Sequence, residues 1–515
     1  MSRRLRLLNA FLTPAGEGGE GGGGRQQQGD QEQAAHGRIL TPPHPAAALR
    51  CRPPMPTPSD YAQPIHPPAK PPLWELLALA LPTVAQMASY TVMNFTDTVM
   101  LSRLGLLEPT AAANASLFGF ALISVGFGTM WVVNTLVSQA FGREDRTACA
   151  QHMWAGVWVG LAYGILILPL IFLGRPMFNA FGHEPELAAL ETTYFGIMLL
   201  FTPVRLAGAA AGQFLLAIDQ PSKTLIAAIV GVVVNIVANY ALIWGHFGLP
   251  EMGLAGAAWG SNIGAAVELL VIFAFVFSRK IRAIYPVLDP RPYWQRIKTL
   301  LRIGLPSGFQ MVGDVLAWAI FGMWTMAYFG TEAMAANTFM MRYMQMSFLP
   351  AFGLSAGVTA LVGRNIGRGQ PEVAVDRARL GFQLAAGYML VLAAIFVIFR
   401  YPLIGLFSQD PEVLRMGALL MCFAGAYQLF DALYIIYSGA LRGAGDTLVP
   451  AVVTALLCWV SIVGLGSVVA EYRPQWGVAG PWTIAAIYGL VLGLYMYLRF
   501  RRGRWQSIQL DEPAR

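Results

Sequence analysis

The chain has 515 residues, 56% of them hydrophobic and only 12% charged, with a mean hydropathy of +0.53. Soluble domains carry roughly 25% charged residues, so this chain lacks the polar surface a soluble enzyme needs. The net charge of +7 sits in alternate loops between apolar runs; it reports membrane topology and excludes nucleic acid as its explanation.

Residues 1–72 come first and are a different material. GEGGEGGGGRQQQGDQEQ and then TPPHPAAALRCRPPMPTPSDYAQPIHPPAKPP cannot bury enough apolar surface to offset chain entropy. A disordered extension rich in Pro, Gly and Gln is expected there, and Met55 offers an alternative start close to the first helix. Apolar runs of about twenty residues then recur, each long enough to cross roughly 30 Å of hydrocarbon. They read as 73–101, 109–137, 149–174, 187–217, 222–246 and 253–278, then 299–328, 333–361, 374–400, 413–441, 447–470 and 477–500. The fold expected is all-α and integral to the membrane, with about twelve helices. Residues 73–278 form an N-lobe of helices 1–6 and 299–503 a C-lobe of helices 7–12. A basic cytoplasmic linker at 279–298 joins them, and 504–515 form a cytoplasmic tail.

Arg143, Arg146, Lys223, Arg279, Lys280, Arg282, Arg291, Arg296, Lys298 and Arg302 fall in even-numbered loops, as do Arg364, Arg368, Arg377, Arg379 and Arg442. The odd-numbered loops hold only Arg103, Arg175, Arg400, Arg415 and Arg473. Positive residues stay inside, so both termini are expected in the cytoplasm of a multi-pass inner (plasma) membrane protein. The cysteines Cys51, Cys149, Cys422 and Cys458 have neither metal-ligand nor disulfide spacing and read as packing residues.

The two halves repeat each other. ALPTVAQM at 80–87 matches GLPSGFQM at 304–311, an offset of 305 − 81 = 224 from Leu81 to Leu305. AFGRED at 140–145 answers NIGRGQ at 365–370, and the Gly212 to Asp219 interval equals that from Gly439 to Asp446, an offset of 439 − 212 = 227. Six is even, so the second copy enters from the same side and the halves are parallel repeats, with a cavity expected between them.

An ionised side chain at mid-membrane costs roughly 2.5–3.5 kcal/mol on insertion scales. Asp97, Arg205, Glu268, Asp314, Arg342 and Asp431 are therefore the functional candidates. Asp314 lies well inside the seventh helix and Asp431 midway along the tenth, with Tyr427 one turn before it and in reach to hydrogen-bond the carboxylate. Asp97 lies late in the first helix; Asn235 and Asn239 share a face of the fifth, and Ser261 is in the sixth. Together these four make an oxygen-rich cluster suited to Na⁺ or to a proton-linked switch, although interhelical hydrogen bonding alone would also explain the asparagines. Glu268 reads as closer to the interface, and Arg205 and Arg342 as partners that neutralise carboxylates. Met311, Met323, Trp324, Met326, Met340, Met341 and Met344 are apolar packing, those facing a cavity offering an adaptable surface. No phosphate-binding loop and no zinc-protease motif occurs, which leaves ATP hydrolysis and membrane proteolysis unsupported.

Over 73–500 the chain resembles the multidrug and toxic compound extrusion (MATE) family, bacterial type. The likeness rests on ALPTVAQM, FTDTVMLSRLG, NIVANYALIWG, GLAGAAWGS, MSFLPAFGLSAGVTALVGRNIGRG and YSGALRGAGDT. The resemblance implies two V-shaped bundles and efflux of organic cations and drugs in exchange for Na⁺ or H⁺ by alternating access. By position, Asp97 resembles the family's first-helix carboxylate, with Asn235 and Asn239 at its fifth-helix positions; some members have a second aspartate where Asn239 stands. Asp431 with Tyr427 resembles the tenth-helix pair, and Asp314 stands where other members carry a glutamate.

The function expected is secondary antiport rather than enzyme catalysis, with no cofactor beyond the coupling ion. Asp97, Asn235, Asn239, Ser261, Asp314, Tyr427 and Asp431 are the cation-coupling candidates, Na⁺ being held at Asp97, Asn235 and Asn239 or at Asp314 and Asp431. Gln310, Met311, Asp314, Tyr427 and Asp431 are the substrate-binding candidates. Partners expected are drug-like small molecules and the bilayer, with the chain working as a monomer. A flippase for lipid-linked sugars, or a membrane enzyme or scaffold, is the alternative.

Overall fold

The computed structural model describes residues 71–508 and 510. The expectations for residues 1–70, for Met55, and for most of the tail beyond 508 lie outside them. Among the described residues there is no strand, and the spans are α1 (Pro72–Leu101), α2 (Leu107–Gly142), α3 (Arg146–Ala180), α4 (Pro185–Leu200 with Thr202–Ala217), α5 (Pro221–Ile243) and α6 (Gly253–Val276). After the linker come α7 (Trp294–Phe329), α8 (Thr331–Gly367), α9 (Pro371–Ile398), α10 (Pro411–Gly443), α11 (Leu448–Tyr472) and α12 (Ala479–Arg501). The fold is all-α with two six-helix repeats, as the hydropathy pattern predicts.

Three departures have local causes. The fourth span is one apolar run in sequence but bends by 44° at Phe201, because Pro203 lacks the N–H that would carry the ladder through the bend. The second and eighth helices run past 137 and 361 to Gly142 and Gly367. Hydropathy falls there although Ser138, Gln139, Arg364 and Asn365 are buried; the helices stop only at turns with left-handed residues, Glu144 (φ 62°) and Gly369 (φ 70°), equivalent at 369 − 144 = 225. The third departure is register. Asp219 and Gly445 are the matching left-handed positions after the fourth and tenth helices, so the offset there is 445 − 219 = 226 and Asp219 does not pair with Asp446.

The lobes exchange helices about a pseudo-two-fold axis: α1 packs on α8, and α7 on α2. Small residues let the backbones meet, as in membrane helix pairs generally. A Cβ on Gly353 would lie 2.9 Å from the Val84 nitrogen, and one on the equivalent Gly128 2.8 Å from the Gly308 Cα. The cores follow the same exchange. Leu76, Leu79 and Ala80, at the start of α1, pack into the C-lobe core, whereas Ile297, Leu300 and Ile303, at the start of α7, pack into the N-lobe core. The lobe division at 278 and 299 is thus a division of the chain, while packing couples the halves.

Contact between lobes concentrates at the end bearing the basic loops. Thr135 Oγ1 donates to the Arg442 carbonyl at 2.9 Å and Gln139 Nε2 to the Gly443 carbonyl at 3.0 Å. Arg364, 4% exposed, is clasped by Asp219 and lies 3.7 Å from Glu75, which also takes Arg377 at 2.9 Å. These acids belong to the first half and these arginines to the second, so the ion pairs seal the lobes together at that end.

Candidate functional site

The first polar cluster is built by α1, α5 and α6. Asn239 Nδ2 donates to Asp97 Oδ1 at 2.6 Å, Ser261 Oγ to Asp97 Oδ2 at 3.4 Å, and Asn235 Nδ2 to Ser261 Oγ at 3.2 Å. Asn235 and Asn239 are fully buried, and their carboxamide oxygens have no hydrogen-bond donor. A buried acceptor left without a partner costs about 1–3 kcal/mol. A carboxylate beside two such oxygens and a hydroxyl is a donor set that fits a hard cation, and the same carboxylate can take a proton.

The approach of α5 to α6 that makes this cluster depends on glycines that sequence reading passed over. Gly256, Gly260 and Gly264 recur at four-residue spacing and face Leu242, Asn239 and Asn235, a small-xxx-small stripe in GAAWGSNIG. A Cβ on Gly260 would strike the Asn239 carboxamide oxygen and come within 2.9 Å of its backbone nitrogen. Gly260→Ala is therefore expected to cost about 1–3 kcal/mol of stability and to shift Asn239 off Asp97. The check is thermal unfolding of the purified protein together with export; an unchanged Tm with undiminished export would refute the packing argument.

The second cluster lines a cavity of about 430 Å³ walled mainly by the first half of the chain, with Phe352, Ser355, Ala356, Thr359 and Arg442 supplied by the second half. Tyr90 donates to Glu268 Oε1 at 2.5 Å, and Gln86 Nε2 donates to the Tyr90 hydroxyl at 3.2 Å. Glu268 thus faces the cavity and not the membrane interface. Among the described residues Arg205 forms no ion pair with a carboxylate. Its Nη2 donates to Asn262 Oδ1 at 3.1 Å and the Ser261 carbonyl at 3.3 Å, and its buried Nε has no partner. Arg342 is exposed on α8 and among the described residues pairs with no carboxylate.

The third cluster belongs to the second half. Asp314, with Oδ1 buried and unpartnered, lies against Tyr434, Tyr488 and Cys458, while Gln310 Nε2 donates to the Tyr434 hydroxyl at 3.0 Å. Asp431 and Tyr427 share a face and interact electrostatically. The hydrogen bond expected between them is absent among the described residues, because Tyr427 turns its ring onto Trp318 (centroids 6.1 Å apart) and into space left by Gly489. Both Asp314 and Asp431 lie within electrostatic reach of Tyr427 and Tyr434. Gln310, Met311, Asp314, Tyr427 and Asp431 do not line the 430 Å³ cavity; of the ion-coupling candidates only Ser261 does. Met326, Met340 and Met344 are buried, whereas Met323 and Trp324 point outward.

Two further features escaped the sequence. Single turns of π-helix interrupt α7 at Phe321–Thr325 and α11 at Trp459–Leu465, next to the third cluster; such turns have no residue signature. Glu191 is fully buried and accepts from Asn114 at 2.7 Å, with His183 Nδ1 also 2.7 Å away. Its place in an apolar segment was the available signal.

The MatE family model matches residues 82–241 and 306–465, starting at Pro82 and Pro306, the same 224-residue offset read from the repeats. A probable multidrug resistance protein NorM of Chromobacterium violaceum is 26% identical over 445 residues, 85% of this chain and 95% of that protein. Another of that name, from Rhizobium meliloti, is 29% identical over 436 residues, 81% and 90% of the two chains. Among solved structures, a MOP superfamily transporter from Pyrococcus furiosus superposes with a TM-score of 0.76 at 19% identity, over 85% of this chain and 98% of that one. The eukaryotic MATE transporter AtDTX14 gives a TM-score of 0.76 at 18% identity, over 85% and 97%.

Proposed function

The chain belongs to the MatE family, and from that premise we propose that it is a secondary active multidrug antiporter, exporting amphipathic, cationic organic compounds in exchange for H⁺ or Na⁺. The observation that carries this reading is the Asp97 cluster: one carboxylate, a hydroxyl and two buried carboxamide oxygens without donors, set in a two-lobed membrane fold closed at one end. A proton or Na⁺ arriving at Asp97 removes or compensates its charge and changes what Asn239 and Ser261 bond to. Those side chains sit on α5 and α6, whose other faces line the 430 Å³ cavity, so the ion and the cavity share helices. Asp314 and Asp431 supply further carboxylates that hold a cation or organic ammonium in the second half. Substrate release coupled to ion binding, followed by return of the lobes, completes the cycle.

The relatives named as multidrug resistance proteins support the efflux part of this proposal. In the same reading the chain works as a monomer in the plasma membrane, with the sealed, basic end and both termini in the cytoplasm. The test is ethidium export from proteoliposomes carrying the full chain, run first with a Na⁺ gradient and then with a pH gradient. Export driven by either gradient is expected, and export indifferent to both would overturn the antiport reading.

A further inference from the structure

Arg205 and Glu268 are the charges that ion coupling leaves unused. They face the same 430 Å³ cavity and feel each other's field, yet no ion pair joins them. Opposite charges in a low-dielectric cavity attract strongly, so two that stay apart must be held apart. Each has its own tether. Arg205 is fixed through Nη2 by Asn262 and the Ser261 carbonyl, and Glu268 through Oε1 by Tyr90, which Gln86 steadies in turn. Arg205 keeps Nε without a partner, and Glu268 Oε2 makes no hydrogen bond among the described residues. A second guanidinium, Arg442, lines the same cavity and lies 5.2 Å from the centroid of the Trp131 ring. With two guanidinium groups and one carboxylate, the lining does not suit a ligand that carries only positive charge.

We infer that this cavity binds a zwitterionic amphipathic compound, with the carboxylate of the ligand on Arg205, its ammonium on Glu268, and its apolar body against Phe120, Phe127 and Trp131. The inference rests on the efflux reading and narrows the substrate class at this cavity. A preorganised pair of tethered charges binds a matching dipole without the cost of ordering loose side chains. The volume is that of a drug-sized ligand, and a charge-assisted bond from guanidinium to carboxylate is among the stronger single contacts available. The other half of the chain is built differently. At the equivalent offsets, 314 − 90 = 224 and 431 − 205 = 226, Tyr90 becomes Asp314 and Arg205 becomes Asp431, so those two positions carry acids in the second half.

The experiment uses a rhodamine with a free carboxylate and the methyl ester of the same dye, which keeps the cation and loses the anion. Binding to the purified full chain is read by fluorescence anisotropy, and export by proteoliposomes is measured for both dyes and for ethidium. The wild type is expected to bind the free acid at least about ten-fold tighter than the ester. Arg205→Gln should bring that ratio to within about two-fold, Arg205→Lys should keep most of it, and Glu268→Gln should weaken both dyes and leave the ratio standing. A wild-type ratio near one, or an Arg205→Gln ratio equal to that of the wild type, overturns the inference; continued export of the ester or ethidium shows that the efflux reading survives it. Export of none of the three compounds overturns the efflux reading itself. If Arg205→Gln is not recovered as folded protein, the wild-type ratio decides alone.

Discussion

Asp97→Asn is expected to weaken ion binding by roughly 5- to 30-fold and to reduce ion-driven export to near background. The substitution keeps shape and removes charge. The Asn239 amide that now donates to Asp97 Oδ1 at 2.6 Å can still donate to a carboxamide oxygen, so folding loses no more than about 1 kcal/mol. The ion loses more, since Asp97 is the carboxylate of a set otherwise made of two carboxamides and a hydroxyl. A contact to a charged group contributes about 1.5–3 kcal/mol against about 1 for a neutral one, and the difference of about 1–2 kcal/mol gives the fold-change stated. Asp314→Asn, at a carboxylate whose buried oxygen has no partner, should also abolish export while the protein inserts normally. The measurement is drug resistance of cells carrying each variant at matched expression, with ethidium export from vesicles. Full resistance in the Asp97→Asn cells would remove this cluster from the mechanism.

The fold was legible because membrane spans and duplication both leave coarse marks. Twelve apolar runs, an alternation of basic loops, and collinear matches such as ALPTVAQM with GLPSGFQM needed no knowledge of contacts. The Asp97, Asn235, Asn239 and Ser261 group was legible too, because charge and carboxamide are rare at mid-membrane and each of these helices offers few candidates. What failed to show was anything set by a side chain's direction. Glu268 and Arg205 were read by depth, and depth does not reveal that each is tethered facing a cavity. Tyr427 precedes Asp431 by one turn, and spacing permitted a hydrogen bond that Trp318 and Gly489 instead turn aside. The offset between the halves drifts from 225 at Glu144 and Gly369 to 226 at Asp219 and Gly445, whereas motifs matched singly put it at 224 or 227. Once the register is corrected, Arg205 aligns with Asp431, and the duplicated scaffold carries opposite charges at one position.

Gly142→Ala and Gly367→Ala are expected to open the basic-loop end, and their effects should not add. Gly142 ends α2 and Gly367 ends α8, at an offset of 367 − 142 = 225, so the pair straddles the pseudo-two-fold axis. A Cβ on Gly142 would lie 3.0 Å from the Cα of Gly367, and a Cβ on Gly367 would lie 3.0 Å from the Cα of Gly142. The neighbours are backbone on both sides, so no flexible side chain can yield, and the available relief is separation of the lobes. Overpacking of this kind costs about 1–3 kcal/mol, enough to shift a two-state equilibrium by about 5- to 150-fold. Separation also strains the Arg364 clasp on Asp219 and Glu75, which makes the closed end cooperative. Hydrogen exchange should therefore rise over residues 135–142 and 359–367 in either variant, and export should fall. Gly387→Ala on α9, where nothing lies within 4 Å of the new Cβ, should change neither. Both changes press on the same crossing, so once one has parted the lobes the other adds little and the double variant should resemble each single one; exchange at 359–367 equal to wild type in Gly142→Ala would show that the lobes do not part at this crossing.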